Sequence, residues 1–252
     1  MSKVSKIFDY VVGAFRHPDL FFYYIGKVYK YRNLAYADEL LYWKHEIPKH
    51  PDNWSQNMQL KDMYYAVKHI ESTFNINGVD IKCMDLGSGP RSRLTSGFDA
   101  GKFDLVAVDP LAEEYYSEFG GRDFLRVGNG EFLEDYYDKN TFHIIYICNA
   151  LDHSKSPQKT IESITNVLKD NGLLIVCGNI NNGDLSKWLG PHQHNLWIEN
   201  NELRWQNKIM KDSGIHMNLT DKHIYTCIKQ YNTTFTEDGN NIPWFLGIWS
   251  KN

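Results

Sequence analysis

Ile81-Lys82-Cys83-Met84-Asp85-Leu86-Gly87-Ser88-Gly89-Pro90 constrains this chain more than any other stretch, because an apolar run that ends in an acid breaks at once into glycines. The pattern predicts a buried strand that turns sharply over a ligand. Glycine lacks Cβ, so such a turn can take backbone angles closed to other residues and a bound molecule can approach the main chain. A tight strand-to-helix turn without a ligand has the same look, so the surrounding chemistry has to decide.

In a dinucleotide site the pyrophosphate rests on a helix N-terminus beside a Gly-x-Gly-x-x-Gly turn. Here Ser92 stands at the third glycine position, and Asp85 would set a carboxylate against phosphate. A P-loop is excluded because no Gly-Lys-Ser or Gly-Lys-Thr follows. S-adenosylmethionine has no phosphate and carries an ammonium and a sulfonium, so an acid at this turn suits it. Asp85-Leu-Gly87-Ser-Gly89 resembles the first motif of class I S-adenosylmethionine-dependent methyltransferases, acid-x-Gly-x-Gly-x-Gly, and departs from it at Arg91, where the last glycine would stand. The resemblance implies an α/β fold, a Rossmann-like doubly wound seven-stranded sheet with a C-terminal antiparallel hairpin. It also implies S-adenosylmethionine as cofactor, with Asp85, Gly87 and Gly89 among its binding residues.

The landmarks that follow come in the matching order. Phe103-Asp-Leu-Val-Ala-Val-Asp109-Pro110 reads as a second buried strand ending in acid and proline. An acid at that strand end can accept both ribose hydroxyls of an adenosine, the role the resemblance implies for Asp109 with Pro110 beside it. Asp before Pro is also a common helix start, which is the alternative. Asn129-Gly130-Glu131 follows a third strand candidate, where the resemblance places a polar or acidic residue near the adenine, either Asn129 or Glu131, so Gly130 and Glu131 join the cofactor set. Thr141 to Cys148 is an almost continuous apolar strand of the kind buried on both faces, and it ends at Asn149, also assigned to the cofactor. Ser156 as cap, Pro157 in the first turn, the stripe Ile161, Ile164, Val167 and Leu168, and Asn171-Gly172 as the stop predict a helix, with a fifth strand over Leu173 to Cys177. A long polar loop opens at Asn179-Ile-Asn-Asn-Gly183 and contains Gly190-Pro191-His192-Gln193-His194-Asn195. A helix is expected around Glu202 to Asp212. His223–Ile228 and Trp244–Trp249 read as two strands joined by a polar loop, Asn232 to Asn241.

Ahead of the first motif, Asp38–Trp43 and Met58–Phe74 look helical, the second with Met63, Ala66, Val67 and Ile70 at helical spacing, and Pro48, Pro51 and Asn53 mark a loop between them. Residues 1–76 are therefore expected to form a helical extension that covers the acceptor side, and 77–252 the cofactor-binding domain. The aromatic run from Phe8 to Tyr31 would supply capping helices, helices without a ligand role, or a membrane-surface anchor. With 252 residues, 42% of them hydrophobic, the chain can bury a sizeable core. No window has about 18 uninterrupted apolar residues and no signal-peptide pattern opens the chain, so a cytoplasmic protein without integral membrane association is expected. Cys83, Cys148, Cys177 and Cys227 lie in apolar runs without Cys-x-x-Cys pairing and read as reduced core thiols. A formal charge of −4 argues against nucleic acid as the main partner.

Methyl transfer to a hydroxyl needs an aligned nucleophile and a group to take its proton, commonly histidine. His153, in Asp152-His153 after the fourth strand, and His192, in the loop after the fifth, are the candidate bases, with Asp152 as their partner and His192 placed first. Asp152, His153, His192 and His194 could alternatively hold a divalent metal; no metal is the expectation, since this spacing is not diagnostic. Asn149-Ala-Leu-Asp-His-Ser154, with the later Gly190-x-His-Gln-x-Asn195, looks similar to methyltransferases of surface-glycan biosynthesis and lacks the Asn-Pro-Pro-Tyr run of nucleobase methylases. The acceptor expected is a sugar or nucleotide-sugar hydroxyl. The alternatives are a lipid or quinone methylase, and a non-catalytic cofactor-binding module.

Overall fold

The structure, a computed structural model, describes residues 39–40, 42–44, 47, 60–92, 94, 103–120, 125–188, 191–237 and 240–252. The aromatic run from Phe8 to Tyr31, the Pro48-Pro51-Asn53 loop and Gly190 lie outside these residues. Within them, strands β1 (Lys82–Leu86), β2 (Asp104–Asp109), β3 (Leu125–Val127), β4 (Phe142–Cys148), β5 (Leu168–Asn179), β9 (Tyr225–Glu237) and β10 (Asn240–Lys251) form one sheet in the order β3-β2-β1-β4-β5-β10-β9. The first five run parallel, and β10 is antiparallel to both of its neighbours. That is the doubly wound sheet with its closing hairpin. β6 (His194–Glu199), β7 (Glu202–Asn207) and β8 (Met217–Asn218) form a separate three-stranded antiparallel sheet inserted between β5 and β9.

Strand alternation sorts the core into two layers. Ile145 and Ile147 of β4 and Leu174 and Val176 of β5 face helix α3 (Pro157–Val167), whose Ile161, Ile164 and Val167 are buried. Ile144, Tyr146 and Cys148, with Leu173, Ile175 and Cys177, face the opposite layer, against Met63, Ala66, Val67 and Ile70 of helix α1 (Leu60–Phe74). These four α1 residues fall on one face of a helix, as their spacing predicts. Asp62, in the first turn of α1, is buried and accepts from Lys229 Nζ at 2.9 Å and Tyr231 Oη at 2.5 Å on β9, which clamps the helix to the hairpin. The four cysteines are free thiols, three of them buried. No helix among the described residues is long and apolar enough to cross a membrane.

Three elements differ from their sequence expectation. The α3 helix starts as expected, with Ser156 Oγ accepting from Lys159 N and Pro157 in the first turn, but it stops at Val167, before Asn171-Gly172. Leu168 already pairs with Phe142, and Asn171 takes φ +61 in an irregular start to β5. Glu202–Asn207 is a strand and only Lys208–Asp212 is helical (α5). Its buried residues, Leu203 and Trp205, alternate with period two, and Asn200 and Asn201 at φ +53 and +66 make a two-residue hairpin turn to β6. The expected loop over Asn232–Asn241 is largely strand, since Asn232 to Glu237 pair with Phe245 to Asn240. This part of β9 lies at the sheet edge, where the backbone ladder runs on through a mostly polar sequence.

Candidate active site at the carboxyl edge of the sheet

The parallel strands end on one edge, and the turns that leave it carry the polar residues. β1 delivers buried Asp85, whose carboxylate accepts from Ser92 Oγ at 2.5 Å. Gly87 and Gly89 follow with φ +71 and +63. Both turns need glycine for space as well. A Cβ on Gly87 would lie 2.3 Å from the Ala150 Cβ, and one on Gly89 would lie 2.5 Å from the Trp43 ring.

Asp109, at the end of β2, turns its carboxylate back onto the glycine turn. Oδ2 accepts from Gly89 N and Oδ1 from Leu111 N, each at 2.9 Å. The helix that follows, α2 (Ala112–Phe119), has Leu111 at its N-cap and no side-chain cap bond, so Asp109 closes a turn ahead of the helix without capping it. Burial pushes its carboxyl up to about 7, helped by the charges of Glu39 and Asp85 and opposed by the Leu111 and Gly89 amides. Pro110 is exposed beside it. Gly130 stands at the start of a 3-10 turn (Gly130–Asp135) whose cap is Asn129, with Oδ1 accepting from Glu131 N. Glu131 is buried, and its Oε1 accepts from Lys155 N at 2.7 Å and Ser156 N at 3.0 Å, holding the chain that enters α3. Asn149, at φ +52, accepts from Asn179 N through Oδ1 and locks the ends of β4 and β5 together.

Beyond β4 a single 3-10 turn, Leu151–His153, presents Asp152 and His153, and the segment leading into β6 brings back His192 from 40 residues away. His192 Nδ1 lies 2.7 Å from Asp152 Oδ2 and 3.0 Å from His153 Nε2. Asn182, buried at the start of a short helix α4 (Asn182–Leu185), donates from Nδ2 to the same Asp152 oxygen at 3.0 Å. Burial alone would raise the Asp152 carboxyl, yet neighbouring His153 and the His192 and Asn182 donors hold it below the ordinary carboxylate range. An ionised carboxylate only accepts, so the 2.7 Å contact to Asp152 calls for a proton on His192 Nδ1, the tautomer that leaves a lone pair on Nε2, while Asn182 Nδ2 also stands 3.0 Å from Nδ1. His153 turns Nδ1 toward Glu39 Oε2, 3.7 Å away.

The three residues proposed for chemistry from sequence order therefore meet in space. His194 does not join them: it donates from Nε2 to Ser154 O at 2.9 Å, packs edge-on against Trp205, and burial lowers its pKa. Asn182, Glu39 and Trp43 were not singled out from sequence. Asn182 belongs to the asparagine run after β5, and that cluster of polar residues at a strand end is the signal that could have found it. Glu39 and Trp43 come from a short helical stretch far from any motif.

The donor set fits a cationic adenosyl compound. Two buried carboxylates, Asp85 and Asp109, flank a glycine turn; separately, the buried amide oxygens of Asn179 and Asn181, Oδ1 in each, have no hydrogen-bond partner among the described residues. Residues 84–176 match the family described as a methyltransferase domain, which makes the chain a transferase with S-adenosylmethionine as its cofactor. No curated protein matches the chain. Among solved structures, a chain of the Haloferax volcanii complex between the Trm112 methyltransferase activator and a methyltransferase is 14% identical, with 84% of this chain and 96% of that chain covered and a TM-score of 0.50. A SAM-dependent methyltransferase from Methanosarcina mazei is 13% identical over 71% of this chain and 96% of that one, with a TM-score of 0.47. The N-methyltransferase NodS from Bradyrhizobium japonicum, in complex with S-adenosyl-L-homocysteine, is 9% identical over 79% and 92%, with a TM-score of 0.47. At this identity the Haloferax likeness shows the fold.

Proposed function

We propose that this S-adenosylmethionine-dependent methyltransferase methylates a hydroxyl of a sugar or sugar-linked small molecule, with His192 as the base. The observation that carries the reading is the 2.7 Å hydrogen bond from His192 Nδ1 to buried Asp152 at the strand edge. S-adenosylmethionine supplies a methyl group activated by its positive sulfur.

The chain's own residues do the rest. Asp85, the Gly87 and Gly89 turn, Asp109 and Asn149 hold the cofactor, with Pro110 and Gly130 bordering it. Asp152 accepts the Nδ1 proton of His192, which sets the ring angle and exposes a lone pair on Nε2. Nε2 takes the acceptor's hydroxyl proton as the oxygen becomes nucleophilic, and Asp152 stabilises the imidazolium that results. His153 flanks this pair and supports it. The Asn179 and Asn181 oxygens, just at and after the end of β5 and without a partner among the described residues, favour a polyhydroxylated acceptor, because its hydroxyls would donate to them.

The test is a panel of nucleotide sugars and free glycans incubated with methyl-labelled S-adenosylmethionine. Label should enter a sugar hydroxyl, and His192→Ala should lower that rate by about a hundred- to ten-thousandfold while S-adenosylhomocysteine affinity changes little. Transfer to quinone or lipid hydroxyls with none to any sugar would overturn the acceptor class, and near-normal turnover of His192→Ala would overturn the base.

A further inference from the structure

Asp152 Oδ2, His153 Nε2 and His192 Nδ1 form a triangle with sides of 2.7, 3.0 and 3.7 Å. His192 Nδ1 is the atom nearest to both others, and Asn182 Nδ2 stands 3.0 Å from it as well. Donors about 2.1 Å from a common ion at tetrahedral or octahedral angles stand about 3.0–3.4 Å apart, so the three atoms need move only a few tenths of an ångström to bind one. We propose that this triangle is a divalent-metal site, in which an ion such as Zn2+ takes the place of the hydrogen bonds that join the three residues.

Four further features support it. The donor set, two imidazoles and one carboxylate, is the kind that selects borderline first-row ions over Mg2+ or Ca2+. His153 already presents Nε2 inward while its Nδ1 faces Glu39 Oε2 at 3.7 Å, and a carboxylate behind a histidine ligand is the usual way to fix its tautomer. The two histidines are only partly covered, with side chains 22% and 29% exposed, so an ion has a route in. Asn182 donates from Nδ2 into the cluster, and rotation of its amide would offer Oδ1 as a fourth ligand.

The proposal rests on the base reading for its consequence but not for its existence. Metal on Nδ1 moves the remaining imidazole proton to Nε2, which removes the lone pair that takes the acceptor's proton. Zinc binding should therefore silence the enzyme.

Nitrogen-15 NMR of the full chain, labelled at histidine and stripped with chelator, tests this without an acceptor. Before metal, His192 should show Nδ1–H and a bare Nε2; one equivalent of Zn2+ should convert it to metal-bound Nδ1 and Nε2–H and shift His153 Nε2. Asp152→Asn should weaken zinc binding about a hundredfold or more and Glu39→Gln about tenfold, while His216→Gln, at an exposed histidine outside the cluster, should not change it. Retained S-adenosylhomocysteine binding shows that each variant is folded. Unchanged His153 and His192 signals at one equivalent of Zn2+, or affinity indifferent to Asp152→Asn, overturns the metal site. A metal-free His192 with its proton on Nε2 overturns the base reading and leaves the site to stand on the zinc response alone.

Discussion

If Asp109 accepts the cofactor's ribose hydroxyls, its raised pKa should make cofactor binding release a proton. The carboxyl titrates near 7 in place of its ordinary 3.8, chiefly because it is buried, with the Glu39 and Asp85 charges adding to the effect. Only the ionised form offers both oxygens to two hydroxyl donors. Binding that requires this form has an apparent affinity proportional to the ionised fraction, about one in eleven at pH 6 and ten in eleven at pH 8. S-adenosylhomocysteine affinity should therefore rise about tenfold across that range, with close to one proton released per binding event at pH 6 and almost none at pH 8. Calorimetry in two buffers of different ionisation enthalpy reads both quantities; added salt keeps the protein soluble near its pI of about 6.2. The ligand-free protein should respond in the opposite direction. A carboxyl whose folded pKa is raised contributes stability that is complete below its unfolded value and is lost as pH climbs through about 7, by at most about 4 kcal/mol for this shift. Asp109→Asn should flatten both profiles. An unchanged affinity between pH 6 and 8, or the same slope in Asp109→Asn, would refute the reasoning.

Glu131→Gln should lower stability by about 1–2 kcal/mol, because Oε1 holds two backbone amides ahead of α3, and should change S-adenosylhomocysteine affinity less than about threefold. Chemical denaturation checks the first, and a large affinity loss at unchanged stability would return Glu131 to the adenine. Gly87→Ala sets a side chain at φ +71 with its Cβ 2.3 Å from that of Ala150. It should cost at least about 2 kcal/mol and disturb the turn bearing Asp152 and His153, seen as loss of their NMR shifts. Asp62→Ala, which leaves Lys229 and Tyr231 without their shared acceptor, should cost about 1.5–3 kcal/mol in the unfolding midpoint with cofactor affinity unaltered.

Legibility in the sequence followed how local the determining physics is. β1 with its glycine turn, β2, β4 and α3 were readable because burial on both faces makes continuous apolar runs and because Ser156-Pro157 starts a helix by its own hydrogen bond. The β6–β7 hairpin was not: a helix is expected around Glu202 to Asp212, whereas Leu203 and Trp205 alternate with period two and only the paired asparagines Asn200 and Asn201 mark the turn. At the site, the convergence of Asp152, His153 and His192 was legible from strand order, because strand ends of an open sheet share one edge. The two amide hydrogen bonds that Glu131 accepts were not, since an acid near the edge looks the same in sequence whether or not it also holds the chain ahead of α3. Glu39 could not be found at all: its approach to His153 depends on how a remote helical stretch docks.

The clamp on Asp62 also bears on how the protein is made. Lys229 and Tyr231 lie 167 and 169 residues downstream, so at about 5–20 residues per second the ribosome delivers them roughly ten to thirty seconds after α1. Until then the helix has a carboxylate on the face that must go inside, and docking it early would bury a charge without its partners. β10 makes the delay longer still, because it is synthesised after β9 yet lies between β9 and β5. The clamp on α1 therefore forms only after β10 has followed β9 out of the ribosome, so the last contacts of α1 are among the latest in this fold to be made.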